Sequence, residues 1–407
     1  MKLSVATNFD QQLIDGIKDY PVSSIYGKLP VDFFGGGRST YMLGQISKRK
    51  LIEHVAYAKK NNIEFNYLLN ASCLSNMETT RRGQKELRKI LDWLSKIDVS
   101  SVTLSNSLLL RIIKKNYPDL KVRVSVFAGV DHLQKAKFWE ELGADTICLD
   151  SLTVNRDLEA LKSLAKSLSC KLELLANGNC MASCSMAPTH MNLLAHSSQK
   201  NDLNNRFVID HCVLECAKRK LKNPVNLLRS DWIRPEDLHL YEELGYHNFK
   251  LVERNLPTSI MIKRVKAYSE RRYDGNLIDL VQPYGHQASK DDPRYNAHSS
   301  FLPLRYFLRP LKINLHRLLN IKKLTEKRGM LCQIKENKPP IYIDNTLLDG
   351  FLENVWRRKC RYQDCQKCGY CESVAQKVVL IKKEFQKDCL DLHEQIDSDL
   401  EKGSLWL

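Results

Sequence analysis

SVTLSNSLLLRIIKKNYPDLKVRVSVF, residues 101–127, carries the pattern that decides the fold. Residues 101–104 are short and apolar, a strand. Residues 108–117 place Leu108, Leu109, Ile112 and Ile113 at helical spacing, and 121–127 return to a strand rich in valine. The same unit recurs on both sides. A first strand opens the chain near Val5, and 31–34 is a short apolar run ending in Gly35, Gly36 and Gly37. Helices are expected at 48–60, 84–97, 132–142 and 157–168, with strands at 65–69, 146–149 and 171–176. The strands read as apolar on both faces, which is how strands buried between crossover helices read. So many consecutive βα units favour an α/β fold of TIM-type (β/α) barrel architecture; an open parallel sheet is the alternative. The rhythm breaks after Ala176 and resumes at a helix 235–244, a last strand at 249–254 and a helix 259–273.

The chain divides accordingly. Residues 1–280 form the barrel, with a cysteine cluster at 180–216. Residues 281–303 form a linker. Residues 304–407 form a smaller, basic C-terminal domain with a second cysteine cluster at 360–371. Over 407 residues, 43% hydrophobic and 27% charged residues exclude a disordered polyampholyte, and 17 glycines and 13 prolines exclude collagen-like or linker-dominated chains. With 63 Lys+Arg against 47 Asp+Glu the net charge is +16, which suits an anionic substrate or RNA, an acidic electron carrier or a membrane surface. No apolar run is long enough to span a membrane and no signal peptide opens the chain, so a cytoplasmic protein is expected. There, most of the 13 cysteines are expected reduced, as metal ligands or catalytic groups.

Cys180 and Cys184 follow directly on a strand, and Cys212 and Cys216 repeat their three-residue gap. Two such pairs can bring four thiolates to one centre at the barrel mouth. Zinc and [4Fe–4S] both accept four thiolates, and the paired three-residue gaps lean towards iron–sulfur. The plain alternative is four buried apolar cysteines.

At these residues the chain, from about 25 to 275, resembles the U32 peptidase family. The similar elements are Val31 to Gly36 with Arg38 just after, Phe65 to Asn70, and the strand from Leu172 through Glu173, Asn177 and Gly178 to Cys180. His211 to Ala217, Glu236-Asp237-Leu238 and Phe249 to Arg254 continue the series. The resemblance implies a TIM-like barrel with a [4Fe–4S] cluster on Cys180, Cys184, Cys212 and Cys216. It also implies oxygen-independent hydroxylation of an RNA base or a small aromatic or isoprenoid metabolite, as an oxidoreductase. This chain departs from the family pattern in three places. Asn177 stands for the family's histidine, the second cysteine comes earlier than usual, and Glu253 stands where the last strand motif has glycine. Cys73, at the end of the strand carrying Asn70, is an alternative fourth ligand. Peptidase activity is the family's label, yet neither His-Glu-x-x-His nor Gly-x-Ser-x-Gly occurs. A pairing of Cys212 with His211 is the nearest candidate.

Cys360, Cys365, Cys368 and Cys371 form the densest cluster. Their spacing combines plant- and bacterial-ferredoxin gaps, so a second iron–sulfur cluster is expected, with structural zinc as the alternative. Trp356, Arg357, Arg358, Lys359 and Arg361 beside it suit docking of an acidic ferredoxin or flavodoxin, or a nucleic acid. Lys250, Glu253 and Arg254 on the last strand are the candidate catalytic residues, able to bind a carboxylated or phosphorylated substrate; a salt-bridge set is the alternative. Gly35 to Arg38 reads as an anion cradle or a tight βα turn. His190 and His196 read as structural histidines or ligands. The basic run 305–328 reads as an RNA contact or a packed amphipathic segment. Three functions follow: an iron–sulfur enzyme, a non-catalytic electron-transfer or scaffold subunit with a heteromeric U32 partner, and an RNA-binding factor.

Overall fold

The computed structural model describes residues 1–39, 43, 46–200, 208–254, 256–281, 314–327 and 339–405. Eight parallel strands close a barrel in sequence order: β1 (Lys2–Ala6), β2 (Val22–Gly27), β3 (Glu64–Leu69), β4 (Ser101–Leu104), β5 (Lys121–Val124), β6 (Thr146–Cys148), β7 (Lys171–Leu175) and β8 (Asn248–Leu251), with β8 pairing back on β1. Closure removes both sheet edges, and the helices cover the outer face. Helix Arg81–Lys96 is typical. Thr80 caps it by accepting the Gly83 N–H, and Leu87, Leu91 and Leu94 bury one stripe against the barrel. Each leucine contributes about 2 kcal/mol of burial.

Three expectations are corrected. Residues 31–34 are a loop, tied through Asp32 to Gln199, and the second strand is Val22–Gly27. Its Ser23 and Ser24 hid it from a search for apolar runs. The last strand ends at Leu251, so Glu253 and Arg254 lie beyond it. The strands are also not apolar on both faces. Buried polar side chains meet across the barrel: Asn66 Nδ2 donates to Thr103 Oγ1 (2.7 Å), Ser24 to Ser4 (3.2 Å), and Glu173 pairs with Arg123 (3.4 Å) and Lys250 (3.8 Å). Mutual pairing is what lets such groups leave water.

Between β7 and β8 the chain makes an excursion through helices Ala187–His196, His211–Lys222, Val225–Leu228 and Leu238–Glu243. The C-terminal part holds helices Leu315–Lys327, Phe351–Arg357, Tyr370–Val378 and Lys383–Glu401, and an antiparallel pair β9 (Ile341–Ile343) and β10 (Val379–Ile381). Its core is shared with the excursion and with the segment after the last barrel helix: Leu214, Leu221 and Trp232, then Leu277 and Ile278, pack with Leu318, Ile343, Phe351 and Ile396. Leu318, Ile321 and Leu324 are buried, so the described end of the basic run is a packed amphipathic helix. Of the expected linker 281–303, Val281 is buried and 282–303 lie outside the described residues, as do Arg305, Arg309, Lys312 and Arg328. Among the described residues, no helix is long and apolar enough to cross a membrane.

Candidate functional site

The C-terminal ends of the strands form the barrel mouth. Where β7 ends, Asn177 clamps it to the end of β8: its amide donates to the Val252 and Leu280 carbonyls (3.2 Å each) and its Oδ1 accepts the Val252 N–H (2.6 Å). Asn177 thus does structural work with both ends of its amide. Gly178 follows because a Cβ there would lie 2.4 Å from Asp231 Oδ2. Asp231 in turn accepts the Cys180 N–H (2.8 Å) and the Ser151 hydroxyl (2.6 Å), and burial pushes its carboxyl up.

Cys180 and Cys184 sit on the loop after Gly178. Cys212 and Cys216 sit one turn apart on helix His211–Lys222, so they share a face. Asp210 caps this helix through the Val213 N–H and takes His190 Nε2 at 3.0 Å. Burial pushes the Cys180 thiol up, followed by the charges of Asp231 and Cys216. Burial likewise pushes Cys212 up to about 11, followed by the charges of Asp210, Cys184 and Cys216. Cys216 thus bears on Cys180, and Cys184 and Cys216 bear on Cys212. Lys220 and Arg38 add positive charge beside Cys180. No three His, Cys, Asp or Glu side chains among the described residues meet at metal-bonding distance. As a donor set, four soft thiols from one loop and one helix face still fit an iron–sulfur cluster or zinc. The Cys73 sulfur accepts the Ser75 N–H (3.4 Å) and its carbonyl accepts the Gln199 amide (2.7 Å).

Beside the thiols lies a buried charged network that the motifs did not reveal. Lys28, just past β2, pairs with Asp32 (2.8 Å), which also accepts the Tyr67 hydroxyl (2.9 Å) and the N–H groups of Phe34 and Gly35. Burial pushes Lys28 down. Arg38 pairs with Glu253 at 2.7 Å, and Glu253 holds a φ of 100°. Arg254 is lowered to about 10, first by burial and then by Arg38. Among the described residues, the buried carboxylate oxygen Oε1 of Glu253 and the Oδ1 atoms of Asn66 and Asn70 have no hydrogen-bond partner.

The three candidate catalytic residues do not form one triad. Glu253 and Arg254 flank Arg38 at the rim, whereas Lys250 lies within the barrel, against Glu173 and 4.4 Å from the Tyr26 ring centroid. Gly35 and Gly36 are not an open anion cradle, because their N–H groups are taken by Asp32 and Ser198. His196 contacts Gln199 (3.1 Å). A network built from long-range partners leaves no local spacing to read; buried Lys28 and Asp32, four apart, were the only signal.

At the second cluster, Cys365 and Cys368 are exposed at the two ends of a one-turn helix, and Cys360 and Cys371 are half-buried. Of the expected docking residues, Trp356 is buried against Tyr241, Arg358 stacks on Tyr370 and Arg361 pairs with Asp157 (3.3 Å). Arg357 and Lys359 are exposed.

A model of peptidase family U32 matches residues 37–255. A protein of Methanocaldococcus jannaschii named "Uncharacterized protease MJ1657" is 31% identical over 351 residues, 86% of this chain and 87% of that one. The solved structure of the U32 peptidase Mk0906 is similar at 21% identity and a TM-score of 0.47, over 62% of this chain and 93% of that one.

Proposed function

The chain belongs to peptidase family U32, and from that premise we propose that it is an iron–sulfur enzyme carrying out an oxygen-independent hydroxylation or related redox modification. The substrate class is an RNA base or a small aromatic or isoprenoid metabolite with an anionic group. The observation that supports this reading is the placement of Cys180 and Cys184 on the loop after β7 and of Cys212 and Cys216 on one face of helix His211–Lys222, with Arg38 and its Glu253 partner on the same side of Cys180. These four residues would hold the cluster, which supplies soft, thiolate-bound iron for one-electron chemistry away from O2. Arg38 and Arg254 bind and orient the substrate's carboxylate or phosphate. Glu253 positions Arg38 through their ion pair. Lys250 and Tyr26 wall the barrel below, and Asn177 and Gly178 hold the thiol loop on the strand ends.

The peptidase reading has one supporting contact, Cys212 Sγ to His211 Nε2 at 3.4 Å. A cysteine nucleophile needs a depressed thiol pKa and access, whereas Cys212 is 2% exposed and pushed up to about 11. The chemistry favours a ligand over a nucleophile. Anaerobic purification with iron and sulfide analysis tests the proposal. Wild type is expected to hold about four irons that Cys180→Ala loses. Equal iron in both chains would end this reading, and peptide cleavage by metal-free protein that Cys212→Ala lacks would replace it.

A further inference from the structure

The second cysteine cluster lies outside the segment matched by the family model, and its surroundings carry an inference independent of the barrel reading. Cys360 begins a short 3-10 turn with its sulfur 3.5 Å from the Val355 carbonyl. Cys365 and Cys368 bracket one helical turn, Gly369 takes a φ of 62° to reverse the chain, and Cys371 enters the next helix. The loop therefore folds back on itself, and each of the other three thiols bears electrostatically on Cys360.

Two arginines from the barrel segment approach this loop. Arg156 lies over the Trp232 ring (4.3 Å) and the Phe351 ring (5.4 Å), donates to the Ser230 and Trp232 carbonyls, and reaches Cys360 and Cys371 electrostatically. Burial pushes the Cys371 thiol up, and the charges of Arg156 and then Arg229 act against that rise. Among the described residues, the Nε of each arginine is buried and has no hydrogen-bond partner. Buried guanidinium N–H groups left over beside thiols ask for negative charge there. Four thiolates around a divalent metal carry a net charge of about −2, which two arginines balance. The same segment holds the backbone of the loop that carries Cys180 and Cys184: Arg229 O accepts the Ala182 N–H, Ser230 bridges to Met181, and Asp231 accepts the Cys180 N–H.

We propose that Cys360, Cys365, Cys368 and Cys371 form a second, tetrathiolate metal centre, seated on Arg156 and Arg229 and joined to the barrel's thiol site through segment 229–232. Iron–sulfur and zinc share this ligand chemistry. Binding draws in Cys365 and Cys368, which are exposed and free of the core.

The test is iron, sulfide and zinc content of the full chain purified without O2, in wild type, Cys365→Ala/Cys368→Ala and Cys180→Ala/Cys212→Ala. The first double variant removes only exposed side chains, and its circular dichroism is expected to match wild type. It is expected to lose one metal complement, about four irons with sulfide or one zinc, and to keep the other; either metal supports the centre and identifies it. Arg156→Gln/Arg229→Gln is expected to lose the same metal several-fold faster to a chelator, with Lys at both positions restoring part of the retention. Wild-type metal content in Cys365→Ala/Cys368→Ala would overturn the proposal. Failure of the barrel reading would instead leave Cys180→Ala/Cys212→Ala with unchanged metal.

Discussion

Glu253 occupies a backbone conformation that side chains avoid, with φ at 100°. Family resemblance puts glycine at this place, and glycine has no Cβ to strain. In this chain the position carries a carboxylate, and the carboxylate holds Arg38 at 2.7 Å. Strain of this kind costs about 1–3 kcal/mol and persists where surrounding contacts over-determine it. Glu253→Gly and Glu253→Ala both lose the ion pair, but only glycine relieves the backbone. Glu253→Gly is expected to be at least about 1 kcal/mol more stable than Glu253→Ala in urea unfolding. Equal midpoints would mean that the conformation carries no strain. The residue types of the candidate sites were legible in part, since cysteine spacing singles out two sets of four thiols. The positions of Lys250, Glu253 and Arg254 were legible, but not their separation, because their partners are Glu173, Arg38 and Tyr26, far away in sequence.

Elements were legible where one stripe faces a core. Helix Lys48–Lys60 and strand Ser101–Leu104 match their expected bounds, since apolar spacing and polar flanks agree there. Strand Val22–Gly27 was missed and 31–34 misread for one reason: a strand inside this barrel buries serine, and a rim loop buries phenylalanine. Helix Arg81–Lys96 separates propensity from packing in the same way. Alanine for Gly83 would raise helix propensity by up to about 1 kcal/mol. Its Cβ, however, would stand 1.6 Å from the Met77 carbonyl oxygen, a backbone atom that cannot swing aside. Gly83→Ala is therefore expected to destabilise by about 1–3 kcal/mol, and a rise in melting temperature would contradict the close approach.

At the scale of the molecule, two cores meet at the excursion between β7 and β8. Leu214, Leu221, Trp232, Leu277 and Ile278 belong to the barrel's stretch of sequence yet pack with the C-terminal helices. A chain ending at Val281 would expose them as one apolar face, so it is expected to aggregate and bind a hydrophobic dye while the full chain does neither. A monomeric, dye-silent 1–281 fragment would show that the second core is not shared. The sequence alone determined the repeating βα units and the two sets of four cysteines, because periodicity and spacing are local properties that survive without a partner. Only the tertiary structure decided that the barrel closes, that its interior is polar and paired, that Arg38 bears on Cys180, and that segment 229–232 runs from the loop of Cys180 to the Phe351 ring of the C-terminal part. Each of these depends on groups brought together from distant parts of the chain, and long-range pairing leaves no local pattern to read.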